Sequence, residues 1–246
     1  MGSSMASPSP IAHQECDSVS NAVFLNVTTA WRETYPGAHV GILTMHDVLT
    51  QGPSLALDRR RAELEASLRS QFEGKGREAI RALPTVAAYN AYYKQFRKTY
   101  HVQLQLESVA LKQRPIASAL PLVGAMFVAE LEHMLLTAGH DLDLVVPPIT
   151  LDVAAGTETY DLINGHEQTL AQADMAISDA RGVLSSIVYG PDQRTMIRPE
   201  TQHVLFTVYA PAGIEAAAIE AHLAALRDCV LLIAPQSRVG TLNVVA

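Results

Sequence analysis

The sequence has too few cysteines for a disulfide framework or a cysteine-based metal site. Only Cys16 and Cys229 occur, and they form neither a ligand pair nor a redox motif. The nine histidines are scattered and no His-Glu-x-x-His run is found, so we expect no metal and no other cofactor. No basic stretch followed by an apolar run opens the chain, and a cytoplasmic location is therefore the simplest expectation.

Long apolar runs are missing as well. The longest, residues 119–129, is shorter than the roughly 20 residues that a helix needs to cross a bilayer. Apolar residues make up 48% of the chain and charged residues 17%, which is typical of a globular protein with a buried core.

Residues 1–5 resemble a cloning remnant, and the Ser- and Pro-rich chain up to residue 20 is expected to be a flexible tail. We treat residues 21–246 as one domain.

The standard catalytic signatures are also absent. The chain contains no Gly-x-Ser-x-Gly elbow, no phosphate-binding P-loop and no Gly-x-Gly-x-x-Gly after a strand. Asp141 and Asp143 suggest either a metal or acid–base pair, or turn and capping residues, and the second interpretation is the commoner. These signals alone indicate an α+β protein with one basic segment.

Basic residues are concentrated in one part of an acidic chain. The net charge is −7, but residues 59–114 hold 12 of the 18 Lys and Arg residues and only 5 of the 25 acidic ones, a local net charge of +7. Such a segment can bind a phosphate backbone, although on charge alone a set of solvated helix faces is the favoured interpretation. The candidate RNA-binding residues are Arg59, Arg60, Arg61, Lys94, Arg97 and Lys98. Tyr92, Tyr93 and Phe96 lie among them, and a core-facing aromatic stripe is the favoured interpretation.

The hydrophobic pattern predicts helices first and strands later. Strands are predicted at residues 22–27 and 39–45, followed by helices at 55–72 and 85–99 and a longest helix at 119–138, apolar on nearly all sides and therefore buried. Further predicted elements are strands at 149–153, 159–162, 175–178, 183–188 and 204–209, a helix at 213–228 and a strand at 241–245. Without strand–helix–strand alternation, this order predicts an α+β fold in one domain, with a helical N-terminal half packed on a mixed or antiparallel β-rich C-terminal half.

Two carboxylates interrupt the predicted buried helix. A buried carboxylate is costly unless it is paired or used, which makes Glu130 and Glu132 site candidates. An exposed helix end is the alternative.

Several short motifs resemble a known family. The chain is similar to the editing domain in the β subunit of bacterial phenylalanyl-tRNA synthetase and to its free-standing relatives, with coverage from about residue 23 to residue 212. The matching segments are residues 35–37 (Tyr-Pro-Gly), 40–43 (Val-Gly-Ile-Leu), 114–115 (Arg-Pro), 120–123 (Leu-Pro-Leu-Val), 139–143 (Gly-His-Asp-Leu-Asp), 178–183 (Ser-Asp-Ala-Arg-Gly-Val), 192–195 (Asp-Gln-Arg-Thr) and 200–206 (Glu-Thr-Gln-His-Val-Leu-Phe).

The resemblance implies hydrolysis of the ester that joins a wrong amino acid to the terminal ribose of tRNA, without a metal. A positioned water attacks the carbonyl, and the protein supplies position and oxyanion donors. His140 matches a histidine that lines the family's pocket and is assigned to ester or water positioning, with a structural histidine as the alternative. Residues 182–186, ending in Ser185 and Ser186, are either a backbone approach to the ester or a plain strand with a tight turn.

The resemblance also implies a set of substrate contacts. The family residue that reads the amino-acid side chain falls near Asp192 or Gln193. Arg194 either contacts the terminal phosphates or pairs with Asp192.

The chain departs from the family on the long helix. Where the synthetase has Asp, Thr and Asn, this chain has roughly Gly124, Met126 and Phe127, which predicts a rebuilt amino-acid pocket. Free-standing relatives include canavanyl-tRNA deacylases, and Asp192, Glu130 and Glu132 are the candidate partners of a cationic side chain. Canavanyl-tRNA(Arg) is therefore the leading predicted substrate. The alternatives are another mischarged tRNA, such as tyrosyl-tRNA(Phe), and a non-catalytic module that binds tRNA or an amino acid.

Overall fold

The computed structural model describes residues 25–50 and 52–246. The predictions for residues 1–20 and for the start of the first strand, and Cys16 with them, lie outside these residues. The described chain folds into seven α-helices: α1 (Thr29–Thr34), α2 (Leu55–Gln71), α3 (Arg77–Arg81), α4 (Pro84–Gln95), α5 (His101–Ala110), α6 (Pro121–His133) and α7 (Ala216–Leu231). Its strands are β1 (Leu25–Val27), β2 (His39–His46), β3 (Thr137–Asp141), β4 (Ile149–Val153), β5 (Thr159–Asp161), β6 (Glu167–Thr169), β7 (Met175–Asp179), β8 (Gly182–Ser186), β9 (Gly190–Pro191), β10 (Val204–Ala210) and β11 (Arg238–Val245).

The strands form two main sheets and one hairpin. The first sheet has the order β11-β2-β10-β3 and is antiparallel throughout. The second has the order β1-β4-β7-β8-β9 and is antiparallel except for the β1–β4 pair. Strands β5 and β6 pair only with each other. This mixture of helices and mainly antiparallel sheets confirms the predicted α+β class.

Strand β10 lies in the centre of the first sheet. All seven of its residues are buried, which agrees with the unbroken apolar and β-branched run from Val204 to Ala210. One face of its neighbour β2 is covered by α7, which approaches so closely that a Cβ on Gly41 would stand 2.6 Å from Ile219 Cγ2. The Tyr89 hydroxyl of α4 donates to the Tyr209 carbonyl of β10.

Helix α6 is shorter than predicted and is not the longest helix described. It begins with Pro121 in its first turn and ends at His133, because Met134 takes a left-handed conformation with φ of 58°. The chain then enters β3, so the prediction that residues 134–138 continue the helix was wrong. Its burial was predicted correctly, since eight of its thirteen residues are buried against α7 and neighbouring elements.

Helix α4 also ends earlier than predicted. It stops at Gln95, and Arg97 has a left-handed φ of 54°. Tyr92 and Tyr93 are 3% and 1% exposed, which confirms that the aromatic stripe faces the core. The remaining predicted elements are found within a few residues of their expected ends, whereas α3, α5, β3, β6 and β9 were not predicted.

Candidate functional site

The four C-terminal segments that resemble the editing family are hydrogen-bonded to one another. The Asp141 N–H donates to the Thr195 carbonyl at 2.6 Å, and the Leu142 N–H donates to the His203 carbonyl at 2.8 Å. The Thr201 hydroxyl donates to the Asp141 carboxylate at 2.7 Å. Residues 139–143, 192–195 and 200–206, far apart in sequence, therefore meet at one place, and the 178–183 segment joins them through Asp179.

At this meeting point lies a set of five buried polar residues, here called the His140 cluster: His140, Ser185, Asp192, Thr195 and Tyr209. They come from β3, β8 and β10 and from the turn after β9. The His140 ring bridges two of them, with Nδ1 2.8 Å from Thr195 Oγ1 and Nε2 3.3 Å from Ser185 Oγ. The Asp192 carboxylate stands 3.8 Å from Nδ1, behind the threonine.

The hydrogen bonds of Thr195 fix where the His140 proton sits. The Thr195 hydroxyl and its backbone N–H both donate to Asp192 Oδ1. Since that hydroxyl donates its hydrogen bond to Asp192, it accepts from His140 Nδ1, and in the neutral imidazole this leaves the lone pair on Nε2. Nε2 then accepts from the Ser185 hydroxyl, and the Tyr209 hydroxyl, 2.7 Å away from Ser185 Oγ, donates to Ser185. The order resembles a serine–histidine–aspartate relay with a threonine inserted before the acid.

The cluster is closed to solvent. His140, Ser185, Thr195 and Tyr209 are 0% exposed and Asp192 is 3% exposed. Both nitrogens of His140 are already engaged, as expected for a structural histidine. In this conformation His140 and Ser185 contact only buried neighbours and are not accessible to a substrate.

Arg194 seals the outer edge of the cluster. Its guanidinium makes two 3.0 Å contacts with the Asp179 carboxylate and lies 3.4 Å from Asp192 Oδ2. Burial alone would raise the pKa of Asp179, but the Val146 N–H and the Arg194 guanidinium hold that pKa below its ordinary value. Of the two roles predicted for Arg194, phosphate contact and pairing with Asp192, this geometry matches the pairing. The neighbouring Gln193 is half-buried at the rim of the cluster.

Ser186 does not belong to the cluster, although it was predicted beside Ser185. Successive side chains of a strand point to opposite faces, so Ser186 faces away from His140. Its hydroxyl accepts from the Tyr189 N–H at 3.0 Å. The 182–186 segment itself is a strand entered through a tight turn, where Gly182 has φ of 135°.

The three carboxylates predicted to bind a cationic side chain have different neighbours in the structure. Glu130 is 2% exposed and accepts from the Thr137 N–H at 3.0 Å, and burial raises its pKa to about 8. Glu132 pairs with Arg60, and Asp192 is held by Thr195 and Arg194. The three carboxylates thus have separate partners, and burial favours the neutral form of Glu130, so their joint binding of a cation stays a prediction.

The helix positions where the chain departs from the family also diverge. Gly124, Met126 and Phe127 point in different directions, because each residue turns an α-helix by about 100°. Gly124 lines an open cavity of about 410 Å³ beside Arg61, and Met126 packs under β3 next to Gly139. Phe127 lines a small cavity of about 130 Å³ against α5. The structure therefore does not bring Met126 and Phe127 together in one cavity, and their contact with a substrate stays a prediction.

The six basic candidates fall into two groups. Arg60 and Arg61 of α2 are paired with Glu132 and Asp58, and only Arg59 of that group is exposed and has no ion pair in the described structure. At the end of α4, Lys94, Arg97 and Lys98 are all exposed, and within residues 25–50 and 52–246 none of them has an ion-pair partner. The α4 group is thus the better placed to contact a polyanion.

Sequence reasoning missed Thr195 and Tyr209 as members of the His140 cluster. Thr195 lies inside the Asp-Gln-Arg-Thr motif, and its position next to Arg194 was an available signal. Tyr209 ends an apolar strand and gave no such signal.

Two features are absent from the described residues, a metal-binding cluster of three or more side chains and a membrane-spanning helix. Among the described residues, no group of three or more His, Cys, Asp or Glu side chains is arranged to hold a metal ion. No helix in the described part of the chain has the length and apolar character that a bilayer span requires.

The fold and this cluster define an α+β protein with a buried serine–histidine–threonine–aspartate network. No protein-family model matches the chain, and no curated protein matches it in sequence. Among solved structures, the chain is similar to an N-terminal fragment of the phenylalanyl-tRNA synthetase β subunit from Pyrococcus horikoshii, with 12% identity and a TM-score of 0.46. The match covers 90% of this chain and 54% of that one, so the chain spans about half the length of the fragment. A likeness this weak does not decide the function.

Proposed function

We propose that this protein deacylates mischarged aminoacyl-tRNA by hydrolysing the ester at the terminal ribose. The observation that carries the proposal is the convergence of residues 139–143, 178–183, 192–195 and 200–206. Each of these segments resembles the editing family, and each is hydrogen-bonded to another in the same place. Independent surface motifs would have no reason to converge.

The roles proposed for the cluster follow from its burial. His140 and Ser185 are positioning residues, because neither reaches solvent. Asp192 and Thr195 hold the imidazole in one tautomer, and the imidazole in turn holds β8 and the 191–194 segment in place. The ester and the attacking water would sit outside this segment, near Gln193, where position and hydrogen-bond donors are what the reaction needs.

The burial of the cluster is also compatible with a second function, a non-catalytic binding module. A fully buried network with every ring nitrogen engaged is also what a non-catalytic tRNA- or amino-acid-binding module would have. The two functions differ in turnover, which makes a hydrolysis assay decisive.

The experiment measures amino-acid release from a panel of charged tRNAs. The panel pairs canavanyl-tRNA(Arg) with arginyl-tRNA(Arg), and tyrosyl-tRNA(Phe) with phenylalanyl-tRNA(Phe). We expect selective release from at least one mischarged member and none from its correctly charged partner. Binding of tRNA without release from any member would refute the hydrolase and support the binding module.

A matched pair of isosteric variants tests the cluster itself. Thr195→Val removes the hydroxyl between Asp192 and His140, and we expect it to lower kcat roughly 10- to 100-fold with KM unchanged. Thr207→Val is the control, since the Thr207 hydroxyl is equally buried but has no hydrogen-bond partner among the described residues. Equal kcat values for the two variants would show that the cluster only stabilises the fold.

A further inference from the structure

Two histidines meet at one end of the first sheet, where β2 and β10 pair. His46 is the last residue of β2, and His203 immediately precedes β10. Since Met45 pairs with Val204, the two histidines stand opposite each other as cross-strand neighbours. Both residues are half-buried, so solvent and small ions can reach them.

The two imidazole rings face each other through the same type of nitrogen atom. The Nδ1 atoms of His46 and His203 are 3.2 Å apart, whereas the ring centroids are 5.2 Å apart and the ring planes are inclined by 52°. Zinc binds imidazole nitrogens at about 2.0–2.1 Å, and at a tetrahedral angle two such nitrogens stand about 3.3–3.4 Å apart. The observed separation of the Nδ1 atoms is therefore close to that of two nitrogens bound to one ion.

Strand β11 holds the His46 ring from the other side. Gly240 lies so close that a Cβ there would stand 2.5 Å from His46 Nε2 and 2.7 Å from Thr44 Oγ1. The Thr241 N–H donates to the same Thr44 hydroxyl at 2.7 Å, which keeps the strand in this position. Nε2 of His46 thus faces the backbone of β11 while Nδ1 faces His203. A ligand that is fixed before the ion arrives loses less conformational freedom on binding.

The charged groups around the two rings favour a cation. Asp47 and Asp143 both act electrostatically on the His46 ring in the direction that stabilises positive charge. Arg238 opposes them, but its guanidinium makes contacts of 2.6 and 2.8 Å with the Asp47 carboxylate. Arg238 and Asp47 therefore neutralise each other, and the exposed Asp143 leaves one negative charge near the rings.

We propose that His46 and His203 form a binding site for a divalent transition-metal ion such as Zn²⁺. Both Nδ1 atoms bind the ion, and water molecules complete its coordination. The proton that one ring holds on Nδ1 in the metal-free pair moves through solvent to Nε2 of that ring, so both rings bind as neutral imidazoles. Two protein ligands make a weaker site than the three or four of catalytic and structural zinc sites, so we expect an exchangeable ion rather than a permanent cofactor.

A bound ion would join β2 to the chain that enters β10. The His203 carbonyl also accepts from the Leu142 N–H at 2.8 Å, so the ion adds to the contacts that hold residues 139–143 and 200–206 together. An ion that binds the folded protein more tightly than the unfolded chain raises Tm. The inference needs only the two rings and their surroundings, and it is independent of the proposed hydrolysis.

Calorimetric titration with zinc chloride measures the affinity, and thermal unfolding in Zn²⁺ or in EDTA measures the effect on Tm. We expect Zn²⁺ to bind and to raise Tm, and Mg²⁺, which prefers oxygen ligands, to do neither. His46→Gln and His203→Gln should each weaken Zn²⁺ binding more than about 10-fold and remove the rise in Tm. His166→Gln, which removes an exposed histidine between β5 and β6, is the matched control and should behave like the native protein.

The double variant separates one chelated ion from two independent histidines. Because a single substitution already breaks the chelate, the second substitution should cost much less affinity than the first. Gly240→Ala, which crowds His46 Nε2 without removing a ligand, should also weaken Zn²⁺ binding. Equal, additive losses from the two histidines, or native Zn²⁺ affinity in folded His46→Gln or His203→Gln, would overturn the inference.

A measurement on the native protein covers the case in which a histidine variant does not fold. Paramagnetic Cu²⁺, which imidazole also binds, broadens the NMR signals of nearby rings. At substoichiometric Cu²⁺, the imidazole signals of His46 and His203 should broaden together and before that of His166. Broadening of His166 at the same Cu²⁺ concentration, or of only one of the paired rings, would show that the two histidines do not share an ion.

Discussion

Replacing Glu130 by glutamine should stabilise the protein, and the gain should grow with pH. The Glu130 carboxyl is 2% exposed, and its one described hydrogen bond is from the Thr137 N–H. Burial raises its pKa from 4.5 to about 8. Between these two values the unfolded chain releases a proton that the folded protein keeps, so stability falls as pH rises.

The size of the effect follows from that interval. Each pH unit between the two pKa values costs about 1.4 kcal/mol, which gives a penalty of roughly 3 kcal/mol at pH 7. A glutamine at position 130 carries no charge in either state and can still accept from Thr137. We therefore expect Glu130→Gln to match the native protein near pH 4.5, to exceed it by roughly 3 kcal/mol at pH 7, and to gain little more above pH 8.

Urea unfolding at pH 4.5, 6, 7 and 8.5 measures this difference directly. Glu132→Gln is the control, because it lies on the same helix but is half-exposed and paired with Arg60, so its removal should cost at most about 1 kcal/mol. A stability difference for Glu130→Gln that is independent of pH, or a loss at pH 8.5, would refute the reasoning.

Two further predictions concern the core. Gly41→Ala would place a Cβ 2.6 Å from Ile219 Cγ2, and we expect a loss of about 1–3 kcal/mol in thermal unfolding. Gly124→Ala, which meets only ordinary contacts, should be neutral or stabilising, and an equal effect of both would contradict the packing argument. Tyr89→Phe should cost about 1–3 kcal/mol in urea unfolding, because the Leu136 N–H, now 3.0 Å from the hydroxyl, is left unpaired in the core. A loss under about 0.5 kcal/mol would show that these groups find other partners.

Helix boundaries show where local sequence reasoning stops. Apolar residues continue on both sides of Glu130, Glu132 and His133 through residues 119–138, yet the chain changes from α6 to β3 within this segment. Nothing local marks the change, since Met134 adopts its left-handed conformation without a glycine. The pairing of β3 with the buried strand β10 requires this break, and that pairing joins residues more than sixty positions apart.

The site residues show the same division. His140, Ser185 and Asp192 were chosen one by one from a resemblance, and the structure brings them into one hydrogen-bonded network. Ser186 was chosen on the same grounds but points away, because strand alternation depends on register. Glu130 and Glu132 are predicted as buried carboxylates, and Met126 and Phe127 as positions that depart from the family. The helix directs these side chains to different surroundings.

The sequence by itself determined the α+β class, most of the helices and strands, the buried aromatic stripe of α4 and the segments that form the cluster. These depend on local periodicity and on short motifs, which a linear pattern carries. Only the tertiary structure decided which side chains meet and which basic group is unpaired. Those properties depend on strand register, helix rotation and burial, and each of these is fixed by contacts between residues distant in the chain.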